Sequence, residues 1–432
     1  MTIICGTEFY LLLRKLVARF FGERGFYRLH GILNWMRGVV SPQRPQHTPL
    51  RRRDASAWST CRVGVNVSGA IAAEGGVAEA IRLNIHSMKV AKIPFVINDV
   101  ALGLSRHRGQ KYDYELRGDN PFDFNLVHLN ANKIQDFYRV VGRNYFENKY
   151  TIGYWAWELS HFPERWHDRF AYVDEVWTPS GFCLEAFKSV SPVPVLCIPH
   201  AVNVGLDRTY RRSEFGIHED AYVFMFMFDF YSTFARKNPL GVVEAFKRAF
   251  SPNERAQLVL KFYNAEINPA EYRRLAQSIG KANILLLNRR GSRAETLGLL
   301  STADAYASLH RSEGFGLTIA EAMALGKPVI ATNYSGNTDY LTEDVGFPIS
   351  YSLCELKETY GLYAEGNVWA EPDVEEAAHW MRYVYEHREA AQDKGRKAAA
   401  SVGVKLSPLR IGAMINERLS AIIESHRFRE VA

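Results

Sequence analysis

The sequence lacks the patterns that mark several common kinds of functional site. No Asp-x-Asp pair occurs, and no group of His, Cys and carboxylate residues has metal-ligand spacing, so no metal is expected. Five cysteines are scattered along the chain without a Cys-x-x-Cys pair, which favours a reducing cytoplasm over a disulfide framework or a zinc site. The chain also lacks an apolar run of about 18 residues, so no membrane-spanning helix is expected.

Motifs for common nucleotide cofactors are missing as well. The Gly-rich stretch Ser68–Gly76 lies between a short strand predicted over 62–67 and a helix predicted over 77–88. It does not contain Gly-x-Gly-x-x-Gly, and it lacks the Lys-Ser or Lys-Thr pair of a P-loop. Dinucleotide and ATP binding are therefore poorly supported, and no cofactor is expected.

Excess positive charge is confined to the N-terminus. The 432 residues carry a net charge of +6, and residues 1–60 hold ten Lys or Arg against three Asp or Glu. Apolar residues recur there at helical spacing, for example Phe9, Leu12 and Leu16. Residues 1–58 are thus predicted to form a basic, amphipathic helical extension with a linker.

This extension predicts a partner and a location. Basic amphipathic helices with aromatic residues bind anionic membrane surfaces. Residues 1–56 are therefore expected to hold a cytoplasmic protein on the inner face of the cell membrane. The alternatives are an extension packed on the main body and a leader segment without that role. Nucleic acid is not an expected partner, because the rest of the chain has no matching basic face.

The most informative motif contains two carboxylates, Glu313 and Glu321, on either side of a Gly-Phe-Gly turn. A strand predicted over 305–309 precedes the turn, and a helix predicted over 317–325 follows it. A helix N-terminus presents free N–H groups to an anion such as phosphate. The carboxylates would repel that phosphate and are better suited to accept hydrogen bonds from hydroxyl groups beside it. A nucleotide diphosphate sugar has this combination of groups.

This segment resembles the Glu-x7-Glu motif of retaining glycosyltransferases with the GT-B fold, particularly family 4 of the glycosyl transferases group 1. The resemblance implies an α/β protein whose two Rossmann-like domains face a cleft. It also implies that Glu313 contacts the donor sugar and that Glu321 contacts the nucleotide ribose. The backbone of the turn would lie against sugar and diphosphate, through Gly314, Phe315, Gly316 and Leu317.

A second segment, residues 229–239, resembles the family loop whose Arg and Lys hold the diphosphate. Lys237 matches the lysine. Tyr231 stands at the position of the usual arginine, so either Arg236 replaces it or the cation comes from elsewhere. Cations at the start of a helix are unfavourable unless an anion is present, which supports donor binding by Arg236 and Lys237.

Two residues of the N-terminal half are assigned by resemblance. The Gly-rich loop is similar to the family loop near the donor phosphate, so Gly69 is expected to approach the ligand closely, with a plain strand–helix turn as the alternative. His161 lies in an aromatic-rich segment and is similar to a family histidine near the donor sugar. A surface or core histidine is the alternative reading of His161.

The chain is expected to contain two domains and a C-terminal segment. The predicted bounds are 59–210 for the acceptor-side domain and 211–390 for the donor-side domain. Residues 391–432 are predicted to be helical and to cross back to the N-terminal domain. A helix is predicted from 369 to about 388, and another helical stretch from 391 to about 426.

The predicted function is retaining, metal-independent transfer of a sugar from a nucleotide diphosphate sugar. The acceptor would be a saccharide or a lipid-linked saccharide in bacterial surface polysaccharide or glycan biosynthesis, by analogy with the family. The predicted catalytic residues are Glu313, Lys237 and His161. Two alternatives share the fold: a non-catalytic sugar-nucleotide-binding scaffold, and a phosphorylase-like enzyme that would need a pyridoxal phosphate lysine.

Deletion of residues 1–56 is expected to weaken binding to liposomes that contain anionic lipid. Each Lys or Arg near such a surface contributes about 1 kcal/mol, and salt screens this attraction, so the loss should be greatest at low salt. Co-sedimentation at two salt concentrations measures the effect, with liposomes of neutral lipid as the control. Equal partitioning of the full-length and truncated proteins would contradict the membrane assignment.

Overall fold

The computed structural model describes residues 61–73, 75–100 and 120–428. The predicted extension over 1–58 and its membrane-binding segment lie outside these residues. The strands are β1 (Val65–Gly69), β2 (Phe95–Asp99), β3 (Phe124–His128), β4 (Tyr150–Tyr154), β5 (Glu175–Thr178), β6 (Val195–Cys197), β7 (Tyr222–Asp229), β8 (Ala256–Tyr263), β9 (Ile284–Asn288), β10 (Ala305–Ser308), β11 (Val329–Thr332), β12 (Phe347–Ile349), β13 (Tyr351–Glu355) and β14 (Val368–Pro372).

Helices lie between most of these strands, as βαβ units require. They are α1 (Gly76–Val90), α2 (Ala131–Val141), α3 (Gly181–Lys188), α4 (Phe234–Lys237), α5 (Pro239–Ala249), α6 (Pro269–Ser278), α7 (Arg293–Ser301), α8 (Leu317–Ala324), α9 (Val374–Glu386), α10 (Arg388–Lys405) and α11 (Pro408–Phe428).

The first twelve strands form two parallel sheets of six strands each. The order is β2-β1-β3-β4-β5-β6 in the first sheet and β12-β11-β10-β7-β8-β9 in the second. Their central strands read as continuous apolar runs, because helices cover both faces of a parallel sheet. In β7, for example, the residues from Tyr222 to Phe228 are all buried. The first sheet ends at Cys197 and the second begins at Tyr222, on either side of the boundary expected near residue 210.

The last helix, α11, packs against the N-terminal domain. Ile411, Ile415 and Leu419 lie in the same apolar core as the strands of the first sheet. At Gly412 the backbone approaches α1 so closely that a Cβ would lie 2.4 Å from the carbonyl oxygen of Ser87. A glycine is therefore required where the two helices meet.

The predicted start of a helix at residue 369 is wrong. Residues 368–372 form β14 rather than the start of a helix, and β14 pairs antiparallel with β13. Helix α9 begins only after Asp373, whose side chain accepts a hydrogen bond from the N–H of Glu376 at 3.0 Å. The hairpin was missed because β13 is almost entirely exposed and therefore shows no apolar alternation.

The single helical stretch predicted over 391–426 is two helices. Pro408 begins α11 and cannot continue α10, because it has no N–H group and its ring collides with the preceding turn. By length and composition alone, Arg388–His426 could cross a membrane. Ile411, Ile415 and Leu419 of α11 nevertheless lie in the N-terminal core.

Arg418 attaches α11 to the first sheet through a buried carboxylate. Its Nε donates to Oε1 of Glu175 at 3.0 Å, and Glu175 is fully buried. Trp177 Nε1 and Tyr150 Oη also donate to Glu175, at 2.6 and 3.0 Å.

Arg418→Met is expected to lower the free energy of unfolding by roughly 3 kcal/mol, because it leaves a buried carboxylate without its counter-charge. Guanidinium chloride unfolding, followed by circular dichroism, measures this change. Arg410→Met removes the same charge from an exposed position of the same helix and should change stability by less than about 0.5 kcal/mol. Similar losses of unfolding free energy in the two variants would show that the ion pair of Arg418 with Glu175 does not contribute more stability than an exposed arginine.

Candidate functional site

A cleft of about 350 Å³ opens between the two sheets at the carboxyl ends of their strands, where open α/β sheets bind ligands. His128 and Tyr154 end β3 and β4 on the N-terminal side, and Asp229 and Tyr263 end β7 and β8 on the other side. Acidic and basic side chains also line the cleft: Glu79, Arg82, Glu158, Arg236, Lys237, Lys261, Arg290, Arg293, Glu313 and Glu321.

Glu313 lies at the centre of a buried charge cluster. Its carboxylate oxygens are 2.5 Å from Nζ of Lys237 and 3.3 Å from Nη1 of Arg236. Burial by itself would raise the pKa of Glu313, but the positive charges of Lys237 and Arg236 outweigh burial and lower the pKa to about 2. The side chain is therefore an ionised carboxylate at neutral pH.

Lys237 and Arg236 come from the short helix α4, which places both in the cleft. Asn238 ends this helix in a left-handed conformation with φ of 53° and caps α5, whose first residue is Pro239. Burial lowers the pKa of Lys237, and the charge of Glu313 opposes that shift. By contrast, Tyr231, at the position of the expected arginine, is 49% exposed.

The guanidinium of Arg236 joins residues of both domains. It is only 4% exposed and donates to the carbonyl oxygen of Ser312 at 2.6 Å. Nη2 lies 3.9 Å from the carboxylate of Glu158, which also accepts a hydrogen bond from Tyr363 Oη at 2.9 Å. Glu158 thus faces Glu313 across one shared cation.

The Gly-Phe-Gly turn lines the cleft directly before α8. Gly316 has φ of 82°, and a Cβ there would lie 2.9 Å from Tyr340 Oη, so the turn needs glycine on two grounds. Ser180 Oγ, from the N-terminal domain, donates to the carbonyl oxygen of Gly314 at 2.6 Å. No side chain caps α8, and its first residues, Leu317 and Thr318, line the cleft.

Glu321 lies one turn into α8 and is 2% exposed. Its carboxylate is 2.7 Å from Nη2 of Arg293. Burial raises the pKa of Glu321, and the charge of Arg293 opposes that rise. Both carboxylates of the sequence motif therefore line one cleft, together with Lys237 and Arg236.

Two predicted site residues do not reach the cleft. His161 is exposed, and its Nδ1 lies 3.0 Å from Ser160 Oγ. Gly69 is needed for packing, because a Cβ would lie 2.7 Å from the side chain of Ile81. The glycines of this loop that line the cleft are Gly75 and Gly76.

Sequence reasoning missed two histidines that do line the cleft. Burial lowers the pKa of His200 to about 3 and lowers the pKa of His128 as well, so both rings are neutral at neutral pH. The Tyr154 ring stacks against His128 at 4.2 Å between centroids and against His200 at 5.3 Å. The available signal for His128 is that a polar residue ends the buried strand β3.

Among residues 61–73, 75–100 and 120–428, no three His, Cys, Asp or Glu side chains form a group that could hold a metal ion. Metal independence remains a prediction.

Part of the chain matches a known protein family. Residues 211–400 match the family model of glycosyl transferases group 1. A stretch of 168 residues, 35% of the chain, is 28% identical to a D-inositol 3-phosphate glycosyltransferase of Actinosynnema mirum. Another of 81 residues, 18% of the chain, is 37% identical to a putative glycosyltransferase of Acidianus filamentous virus 1. These matches span 39% and 24% of the two relatives, less than half of either.

Solved structures show the same architecture over most of the chain. HepE of Anabaena, in complex with UDP and glucose, superposes with a TM-score of 0.59 and 15% identity over 83% of this chain and all of that chain. A sucrose-phosphate synthase of Thermosynechococcus elongatus gives 0.59 and 14% over 84% of this chain and all of that one. At such low identity the likeness shows the fold alone, and the predicted GT-B fold is confirmed.

Glu313 predicts a specific pH dependence of stability. Its pKa is lower in the folded chain than in the unfolded chain, so its contribution is complete above the unfolded value of about 4.3 and is lost as the pH falls toward the folded value. Between about pH 5 and about pH 3.5, the wild type is expected to lose about 1 kcal/mol more stability than Glu313→Gln. Urea unfolding at several pH values measures this difference.

Glu389→Gln, at an exposed position, is the charge-matched control and should follow the wild-type profile. If Glu313→Gln also followed that profile, the buried ion pairs of Glu313 would not form in solution.

Proposed function

We propose that this protein is a retaining, metal-independent glycosyltransferase that uses a nucleotide diphosphate sugar as donor. The observation that carries the proposal is the ionised Glu313, held by Lys237 and Arg236 beside the uncapped N-terminus of α8. The match of residues 211–400 to the group 1 family model covers the same elements. Membership of family 4 is part of the proposal and rests on the resemblance of the motif.

Each part of the donor has a matching group in the cleft. The diphosphate is placed at the N–H groups of α8, where Lys237 supplies positive charge. The ribose hydroxyls are placed at Glu321, and the sugar hydroxyls at Glu313, because ionised carboxylates are strong acceptors. Lys261 and Arg290 add positive charge to the same wall of the cleft and can complement Arg236 where Tyr231 replaces the expected cation.

The proposed reaction needs no protein nucleophile. The bond between the anomeric carbon and the leaving diphosphate breaks, and the acceptor hydroxyl adds to the same face of the sugar. A departing phosphate oxygen takes the hydroxyl proton, and Lys237 with the α8 N–H groups stabilises the negative charge that develops. The carboxylate of Glu313 stabilises positive charge near the anomeric carbon. A double displacement through a glycosyl–Glu intermediate is the competing route.

UDP-sugars are the first donors to test, because the structurally similar HepE binds UDP-glucose. The acceptor is proposed to be a saccharide or lipid-linked saccharide of bacterial surface polysaccharide or glycan biosynthesis. A peripheral position on the inner face of the membrane, through residues 1–56, belongs to the same proposal.

Lys237→Ala and Glu313→Ala are expected to lower the rate of donor hydrolysis about a hundredfold each. Removing one group that stabilises developing charge has effects of this size. The assay screens nucleoside diphosphate sugars for ligand-induced shifts in Tm and for slow hydrolysis, in parallel samples with and without EDTA. Lys247→Ala removes an exposed lysine from the neighbouring helix α5 and should leave the rate unchanged.

The same assay separates the alternatives. Sugar-nucleotide binding without hydrolysis or transfer would favour the scaffold, and cleavage that requires inorganic phosphate would favour the phosphorylase-like enzyme. Full activity in either Ala variant would remove that residue from the site, and complete loss in EDTA would contradict metal independence.

A further inference from the structure

Arg293 is a charged residue of the cleft that the Glu-x7-Glu motif does not contain. It is the first residue of α7, whose N-cap Ser292 accepts from the N–H of Glu295 while the Glu295 side chain accepts from the N–H of Ser292. This reciprocal cap fixes the start of the helix. It directs the Arg293 side chain, which is 25% exposed, into the cleft.

The guanidinium of Arg293 contacts carboxylates of both domains. Nη2 lies 2.7 Å from Oε1 of Glu321, and Nε lies 3.1 Å from Oε1 of Glu79. Glu79 belongs to α1 of the N-terminal domain, where Arg82 Nε donates to its other oxygen at 2.8 Å. Charges therefore alternate along Arg82, Glu79, Arg293 and Glu321 from one side of the cleft to the other.

Arg293 is the described group whose positive charge acts on Glu321. The described groups whose charge acts on Glu321 are Arg293 and Glu79, and it in turn acts on the hydroxyls of Tyr306 and Tyr340. Burial and the negative charge of Glu79 both raise the pKa of Glu321, and Arg293 alone among these groups lowers it. A buried carboxylate without its counter-charge takes up a proton more readily.

We propose that Arg293 is a positioning residue that keeps Glu321 ionised and oriented to accept hydrogen bonds from the ribose hydroxyls of the donor nucleotide. This inference rests on the proposed function. Hydrogen bonds to an ionised acceptor are roughly twice as strong as those between neutral groups. Arg293 thus determines the selectivity for ribose through Glu321, while Glu79 holds the guanidinium from the opposite domain.

The test compares UDP with 2′,3′-dideoxy-UDP in the wild type and in Arg293→Gln, by calorimetric titration at about pH 8 and about pH 6. The two ligands share base and diphosphate, so the ratio of their Kd values cancels phosphate titration and partial loss of folded protein. The wild type should prefer UDP by about tenfold or more at both pH values, since a hydrogen bond to a charged group contributes about 1.5–3 kcal/mol.

In Arg293→Gln this preference should fall to about threefold or less at pH 6 and recover in part at pH 8. Arg293→Lys keeps the charge and should retain much of the preference at both pH values. Glu321→Gln should lack the preference at both. Arg274→Gln removes an arginine of α6 that is 68% exposed, and this charge-matched control should behave as the wild type.

The failures can be told apart. If the wild type binds neither UDP nor any other nucleoside diphosphate, both the proposed function and this inference are overturned. If the wild type prefers UDP but Arg293→Gln keeps that preference at both pH values, only the role of Arg293 is overturned. Equal weakening of both ligands in Arg293→Gln would also overturn it, because the residue would then contribute general positive charge rather than ribose selectivity.

Discussion

The buried carboxylate of Glu313 requires compensating positive charge, and much of the cleft is arranged around that requirement. Lys237 and Arg236 provide the charge, and Glu158 of the N-terminal domain, which accepts a hydrogen bond from Tyr363, lies on the other side of Arg236. A buried ion without a partner is strongly destabilising, so the α4 segment and the turn before α8 constrain each other. The positive charges of Lys237 and Arg236 also lower the pKa of Glu313. A further anion is then favourable at the uncapped N-terminus of α8.

The cleft is built by both domains rather than by one. Ser180 Oγ donates to the carbonyl oxygen of Gly314, and the N–H of Gly181 donates to Asp339 at 2.7 Å. Arg293 joins α1 to the motif helix through two carboxylates, and α11 returns the chain end to the first core. Contacts between the domains thus include residues proposed to bind the donor, namely Gly314 and Glu321.

Most of the fold could be predicted because the strands of parallel sheets are buried on both faces and read as apolar runs. The strands predicted over 62–67 and 305–309 lie within about three residues of the observed bounds of β1 and β10, and the GT-B fold is confirmed. The β13–β14 hairpin could not be read because β13 is exposed, so that its backbone pairing, not an apolar pattern, stabilises it. The break between α10 and α11 at Pro408 was not predicted, although a proline inside a helical pattern commonly ends the helix before it.

The sequence by itself determined the motif chemistry: two carboxylates around a glycine turn at a helix start, with a lysine in a separate loop. Local spacing is enough for that, because turn and helix geometry follow from neighbouring residues. Only the tertiary structure decided which distant side chains share the cleft. It brought in His128, His200 and Arg293 and left His161 outside. The physical reason is that parallel strands bring residues that are far apart in the chain to one edge of the sheet. The spacing of residues along a single sequence does not show which of them become neighbours there.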